Sequence, residues 1–577
     1  MLRRLLGLET EYAIGISARD DPDAPTNAEV YTALREAVEA QVLTRPGEVS
    51  QQQVFLVNGG SLSYESASWA RDKGLVEGGT PECRSPGAAL IQQRAQDMLL
   101  AGVLPEVERR LALRGHPARV TLRKNCRDAE GNVYGAQENY EAELARGPAL
   151  WAWRAGLVAL VPVALVSTLG TWAVALVALA VAIVTLVPMG LAGLGSAWVR
   201  RRALYQEVFG RHGAQALERM FAPPLSWIER ALWEPVMRPF FWLAAAVGFR
   251  RVRQQAMAFL VTRPVLTGAG TLHPDERFGL SEKGPSMIRG SRRSVDREDR
   301  CIWDGGNLCK GVLGLAMFHW RHFAALFGRR QRLQLGLSDS NVTQIAELLK
   351  LGTTALVIDM VEAGALADLP PLLRPIDALQ AVIGDPTLRA SIRWGDRSLT
   401  ALEVQRLYWE RARRFVRDSA TPSLEAMELV ELWGRTLDGL ERDPASQVGR
   451  VDWVTKRFLL DTAGEGEPWA VRKTIDLKLH QLGPEGYLAL LEAEGLAPRV
   501  VGLVEVAEAI HTPPPDSPAG IRSRLIRELQ DQHEGVKVYW DRVRVGGVVR
   551  GRVIRLADYR PGRAGAGTGS PDDDDER

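Results

Sequence analysis

Two glutamates, Glu9 and Glu11, stand one residue apart in the apolar stretch GLETEYAIG (7–15). On a strand, side chains at i and i+2 share a face, so both carboxylates point the same way and repel. Two arrangements offset that repulsion. One is a solvated strand face with a lysine or arginine neighbour. The other is a hard divalent cation such as Mg²⁺, which takes oxygen ligands and keeps waters and substrate phosphates. More acids follow: Glu65 in NGGSLSYES, Glu77 and Glu82 in LVEGGTPEC, and Glu138 in NVYGAQENYE. Each alone reads as a surface acid. Together, on successive strands, they are placed to form a carboxylate box holding Mg²⁺ against phosphate oxygens. No GxxxxGK[ST] occurs, which excludes a Walker site, and HExxH, GxSxG and zinc-type cysteine spacings are absent as well.

The elements that must carry these acids alternate between strand and helix over the first 140 residues. VYTALREAVEAQVL (30–43) has helical periodicity, and QQVFLVNG (52–59) reads as a strand ending at Asn-Gly. Residues 91–115 read as a long helix broken near Pro105, and ARVTLRKN (118–125) as a strand. Further on, RLQLGLSDSN (332–341) reads as a strand entering a turn and 342–364 as a helix. The pattern from 370 to 530 is mostly helical, and 536–559 reads as short strands. The tail RAGAGTGSPDDDDER lacks apolar side chains and is expected to be disordered.

The chain has 577 residues, enough for two or three units. Lys and Arg total 72 against 70 Asp and Glu, which argues against a general nucleic-acid-binding surface. Cys83, Cys126, Cys301 and Cys309 are few and widely spaced, as reduced cytosolic thiols are. The start, MLRRLLGLETEY, reaches two acids too soon to be a signal peptide. One segment breaks the soluble pattern: Ala155 to Val199 holds no charged residue. As one helix it would run about 68 Å, roughly twice a hydrocarbon core. The expectation is therefore two spans within 149–199, turning at STLGT (167–171), with Trp151, Trp153 and Trp198 at the interfaces and Arg200–Arg202 on the cytoplasmic side. A buried core hairpin is the alternative. Residues 223–251, rich in tryptophan and arginine, read as an interfacial helix pair.

The motifs GLETEYAIGIS (7–17), VFLVNGGSLSYE (54–65), LRKNCRDAEGNVYGAQENY (122–140), FLVTRPVLTGAG (259–270), LSDSNVTQIAELLKLGTTALVIDMVE (337–362), LDGLERDP (437–444), VDWVTK (451–456) and IDLKLH (475–480) occur in this order. In order and spacing the chain resembles the Pup ligase / Pup deamidase (depupylase) family, and it looks closer to the deamidase branch. The resemblance covers nearly everything outside 141–255 and the tail. It implies an α+β, glutamine-synthetase-like fold: a curved antiparallel sheet with helices, cradling ATP and Mg²⁺, and a small C-terminal domain. The organisation it implies is a catalytic domain in two parts, 1–140 and 256–495, interrupted by the membrane insertion 141–255. A small domain at 496–562 and the tail 563–577 follow.

By position, the resemblance makes Glu9, Glu11, Glu77, Glu82 and Glu138 metal ligands and Glu65 the catalytic base or nucleophile. It assigns Asn125, Arg263 and Asn341 to the cofactor. The implied chemistry is making or breaking an amide at a glutamate side chain of a Pup-like small modifier protein. Four positions depart from the family: Glu65 replaces an aspartate, Gln137 and Gln334 replace histidines, and Ala519 stands near an expected arginine. A longer acid alters reach, and glutamine cannot titrate near neutral pH. Motifs on both sides of the insertion must meet in one body, so an even number of spans is expected, with the body on the cytoplasmic side of the inner membrane. A non-catalytic scaffold that binds the modifier or a partner at the membrane, or a ligase, remains the alternative.

Overall fold

The structure, a computed structural model, describes residues 1–17, 23–48, 52–67, 70–196, 231–293, 302–304, 306–317, 319–532, 535–547 and 551–558. Cys301, Trp198, Arg200–Arg202 and the acidic tail lie outside these residues. The described chain divides into two units. One comprises Met1–Ala142, Val252–Asp304 and Arg332–Arg577, and the other Glu143–Arg251 and Gly305–Gln331.

In the first unit, β1 (Leu6–Ile16) turns Leu8, Thr10, Tyr12 and Ile14 to the interior and Glu9, Glu11 and Ala13 to the opposite face. Helix α1 (Asn27–Gln41) begins at a capping box made by Thr26 and Glu29. It is followed by β2 (Thr44–Pro46), β3 (Val54–Leu56), β4 (Ser61–Ala67) and β5 (Ala70–Gly79). Helix α2 (Pro86–Leu113), β6 (Val120–Arg123) and β7 (Gln137–Glu143) complete this part. Among the described residues, β1–β7 join Trp303–Asp304 and Arg330–Leu335 in one nine-stranded sheet. All registers within β1–β7 are antiparallel.

Helices α1 and α2 cover the interior face, where Tyr12, Val30, Leu34, Leu62, Val76, Leu99, Val103 and Leu122 form one core. The expected break at Pro105 is corrected: α2 runs through it. Leu99, Leu100, Val103, Val107 and Leu111 are continuously buried, and that packing outweighs one missing backbone bond. Towards the C-terminus, Lys537–Val538, Arg542–Val545 and Arg552–Arg555 form a three-stranded sheet. It shares a core with the helix Pro518–Glu528 through Leu525, Val538 and Val543.

The second unit is built on α3 (Pro148–Ser196), a single helix of 49 residues and roughly 73 Å. The expected turn at 167–171 is therefore corrected. Thr168 and Thr171 donate their hydroxyls to the carbonyls of Ala164 and Ser167, which lets a polar STLGT stretch sit inside a helix. A helix over 231–246 packs antiparallel to α3, Leu243 against Gly156 and Leu232 against Gly170. Ser167 Oγ donates to Leu232 O at 2.7 Å, and Trp233 Nε1 to Thr171 Oγ1 at 3.1 Å. Trp153, expected at a membrane interface, is buried and donates to Leu326 O, whereas Trp151 is exposed.

Candidate active site

The sheet opens where β1 changes partner. Leu6–Glu9 pair with β7, and Ala13–Ile16 pair with β6. Between them, the connection 124–136 leaves the ladder beside Glu11, and Gly135 N donates to Glu11 Oε2 at 2.9 Å. Gly135 has φ +114, and a Cβ there would lie 2.3 Å from Cys126 Sγ, so only glycine fits this approach. The opening is a cleft of about 1010 Å³ whose lining includes Glu11, Glu65, Arg123, Asn125, Gln137 and Lys283.

Strand register gathers three acids on this face. Glu11 is directly opposite Glu77. Glu77 is opposite Ser63, whose Oγ donates to it at 3.1 Å, and Glu65 lies two pairs further along β4, on the same face. Burial and the Glu65 charge push the Glu11 carboxyl up to about 8, with Glu77 adding and Gly135 N and Lys283 opposing. At neutral pH this acid holds a proton that a cation would displace.

The other expected ligands are placed differently. Glu9 shares the cleft-side face but ion-pairs with Arg332, which also donates to Asn139 Oδ1 at 2.7 Å. This is the solvated face with a basic neighbour that the sequence left open. Glu82 lies beyond β5 and is bound bidentately by Arg522 at 2.6 and 2.9 Å. Glu138 is opposite Leu8, so strand parity turns it into the core. There it holds Arg263 bidentately at 2.7 and 2.9 Å and accepts from Tyr140 Oη. Burial pushes the Glu138 carboxyl up, but Arg263 and Lys350 outweigh it and hold it low. Among the described residues, no group of three or more His, Cys, Asp or Glu side chains is set to hold a metal. The five acids do not share one centre.

The expected cofactor residues also separate. Asn125 is in the cleft; its Nδ2 donates to Arg127 O and Tyr134 Oη, and its Oδ1 is buried without a partner. Arg263 is committed to Glu138, Thr354 and Leu337 O. Asn341 is fully buried and donates to Thr267 O and Asp452, which also caps the backbone of Val342 and Thr343. Gln334 Nε2 donates to Gln137 Oε1, so the two glutamines satisfy each other. Ala519 is buried against Gly59, where an added Cβ would come within 2.7 Å of the Ala519 Cβ, while Arg522, one turn on, donates to Gly59 O.

Sequence reasoning missed Lys283. Asp339 fixes it by accepting from Ala269 N, Ser281 Oγ, Glu282 N and Lys283 N, and Lys283 Nζ donates to Ala136 O at 2.7 Å. Lysine and acid are nearly sixty residues apart, and no local pattern joins them.

Comparison with known proteins decides the family. A family model described as Pup-ligase protein matches residues 4–544. The chain belongs to the Pup ligase family. A Pup deamidase/depupylase of Mycobacterium tuberculosis is 33% identical over 325 residues, which are 54% of this chain and 61% of that relative. The chain thus spans less than two thirds of that relative's length. A Pup–protein ligase of Paenarthrobacter aurescens is 25% identical over 94% of this chain and 92% of its own. Among solved structures, the complex between Pup and its ligase PafA matches with TM-score 0.64 and 20% identity, covering 96% of this chain and 89% of that one. PafA in complex with ADP matches with TM-score 0.60 and 20% identity, covering 89% and 87%. The expected antiparallel sheet with helices is thus the fold of the Pup ligase family.

The acids of this face supply carboxylates of the kind a magnesium ion takes, although no three of them are set around one point among the described residues. Mg²⁺ is usually held by one or two carboxylates plus substrate phosphates, and the mutual repulsion of Glu11, Glu65 and Glu77 is what such an ion relieves.

Proposed function

We propose that the chain is a Pup deamidase or depupylase that uses ATP and Mg²⁺ to hydrolyse a glutamate side-chain amide or isopeptide bond of a Pup-like modifier. The observation that carries this reading is the grouping of Glu11, Glu65 and Lys283 in one cleft, with Glu77 opposite Glu11 on the neighbouring strand. What favours the hydrolytic direction is 33% identity to a deamidase/depupylase over 54% of this chain, set against 25% to a ligase over 94% of it.

Glu11 and Glu77 would hold Mg²⁺, which supplies neutralisation of phosphate charge. Glu65 has an exposed side chain at the cleft and acts as base or nucleophile at the amide carbon. Lys283 contributes fixed positive charge beside Glu11, and Asn125 walls the pocket. The test is to incubate the full chain with Mg-ATP and a Pup-like protein ending in glutamine. Conversion of that glutamine to glutamate, read by intact mass and lost in Glu65→Gln, is expected.

A scaffold that binds the modifier without catalysis is the second reading, favoured by the engagement of Glu9 with Arg332 and Glu82 with Arg522. Modifier binding with no conversion would establish it.

We also propose that α3 attaches the protein to the inner membrane, with the catalytic body on the cytoplasmic side. Support comes from the 30-residue segment Pro148–Val177, whose most apolar 18-residue window has mean hydropathy 2.0 and is 28% buried. Val166, Leu169, Leu176 and Val177 stand exposed along it. Recovery of the whole chain in the soluble fraction of expressing cells would overturn this.

A further inference from the structure

Strand β6 places Arg123 opposite Ala13, on the face that carries Glu11. Its guanidinium lies over Gly15, where a Cβ would come within 3.7 Å of Cζ and Nη1. Arg123 is half-buried in the cleft wall, and its Nε is buried with no hydrogen-bond partner. Burial lowers the affinity of this guanidinium for its proton, with the neighbouring Tyr134 in the opposite direction. Among the described residues, Arg123 forms no ion pair. The arrangement contrasts with Arg263 and Arg522, whose buried guanidinium groups each grip a glutamate.

A desolvated cation without a counter-ion is unfavourable to folding. Glu11 is only two residues along β1 from the partner of Arg123, roughly 7 Å, yet the two are not paired. The cleft thus keeps an excess of negative charge beside an unmatched positive one. A ligand that brings its own cation and anion satisfies both ends together.

We propose that Arg123 forms an oxyanion subsite that receives a phosphate or a carboxylate group of the ligand. This rests on the proposed use of the cleft for nucleotide and modifier, and it goes beyond that reading by assigning the anion to Arg123. Planar guanidinium matches either oxyanion bidentately.

The test compares the full wild-type chain with Arg123→Gln, titrated with Mg-ADP, inorganic phosphate and N-acetyl-glutamate. The variant is expected to lose about tenfold or more in affinity, while its unliganded melting temperature stays equal or rises. Loss confined to ADP and phosphate assigns the subsite to phosphate, and loss confined to N-acetyl-glutamate assigns it to carboxylate. Affinities unchanged for all three probes overturn the proposal, as does a drop in unliganded melting temperature with unchanged binding. ADP bound equally by both proteins, with the other affinities also equal, removes the subsite but leaves the ATP-dependent reading standing. A wild type that binds no nucleotide yet loses N-acetyl-glutamate in the variant does the reverse.

Discussion

Glu11 and Glu138 stand on neighbouring strands of one sheet and differ completely in surroundings. Glu138 faces the core, and Arg263, Tyr140 and Lys350 answer its charge. Glu11 faces the cleft, where its neighbours include two more carboxylates and its pKa rises to about 8. The core face is electrostatically complete without a ligand. The cleft face is not, and that incompleteness is the mark of a site.

The comparison breaks most readily at the core. Arg263→Ala strips the buried Glu138 of its bidentate partner and leaves only Tyr140 and Lys350 to answer its charge, so a loss of about 3 kcal/mol is expected, read by chemical denaturation. Mg²⁺ and nucleotide should not restore what is lost. If they did, the core pair would belong to the site after all.

Next in size is Arg522→Ala. Arg522 is fully buried, bridges Glu82, Gly59 O and Trp540 O, and stacks on the Trp540 ring. Since Glu82 keeps some water access, about 2–3 kcal/mol is expected. Protease sensitivity should rise near the C-terminal strands before it rises elsewhere.

A smaller change of opposite sign is expected at the cleft. Glu11 titrates near 8 folded and near 4.5 in an open chain. Stability from its proton is fully present below pH 4.5 and falls away as the pH rises to about 8. Glu11→Gln removes that decline and should stabilise the unliganded protein at pH 8 by at least about 1 kcal/mol. A variant that melts below wild type at pH 8 would show that the Glu11 charge is compensated in the fold.

The smallest effect is expected for Arg332→Ala, because both members of the Glu9 pair are partly exposed. Melting should change by less than about 1 kcal/mol. If this variant gained metal affinity, Glu9 would join the ligands that Arg332 now displaces.

Much of this was legible in the sequence. The period-2 spacing of Glu9 and Glu11 placed both on one face, and the chain of motifs gave the family and its sheet. The roles of the later acids were less legible, for two physical reasons. Parity puts Gln137 towards the cleft and Glu138 into the core, but a motif read as a word does not say which face each letter takes. The partners that claim Glu82, Glu138 and Glu9 are 440, 125 and 323 residues away. Helix α3 failed differently. A polar STLGT segment resembles a turn, yet its hydroxyls bond back to the helix and to Leu232 O, a partner revealed only by tertiary packing.

The most direct test of the central claim is the number of protons released when Mg-ATP binds, measured calorimetrically in buffers of different ionisation enthalpy. At pH 7 the account predicts release of about one proton in wild type, falling towards none above about pH 9 and absent in Glu11→Gln. Tight Mg-ATP binding with the same proton count in wild type and Glu11→Gln would contradict it.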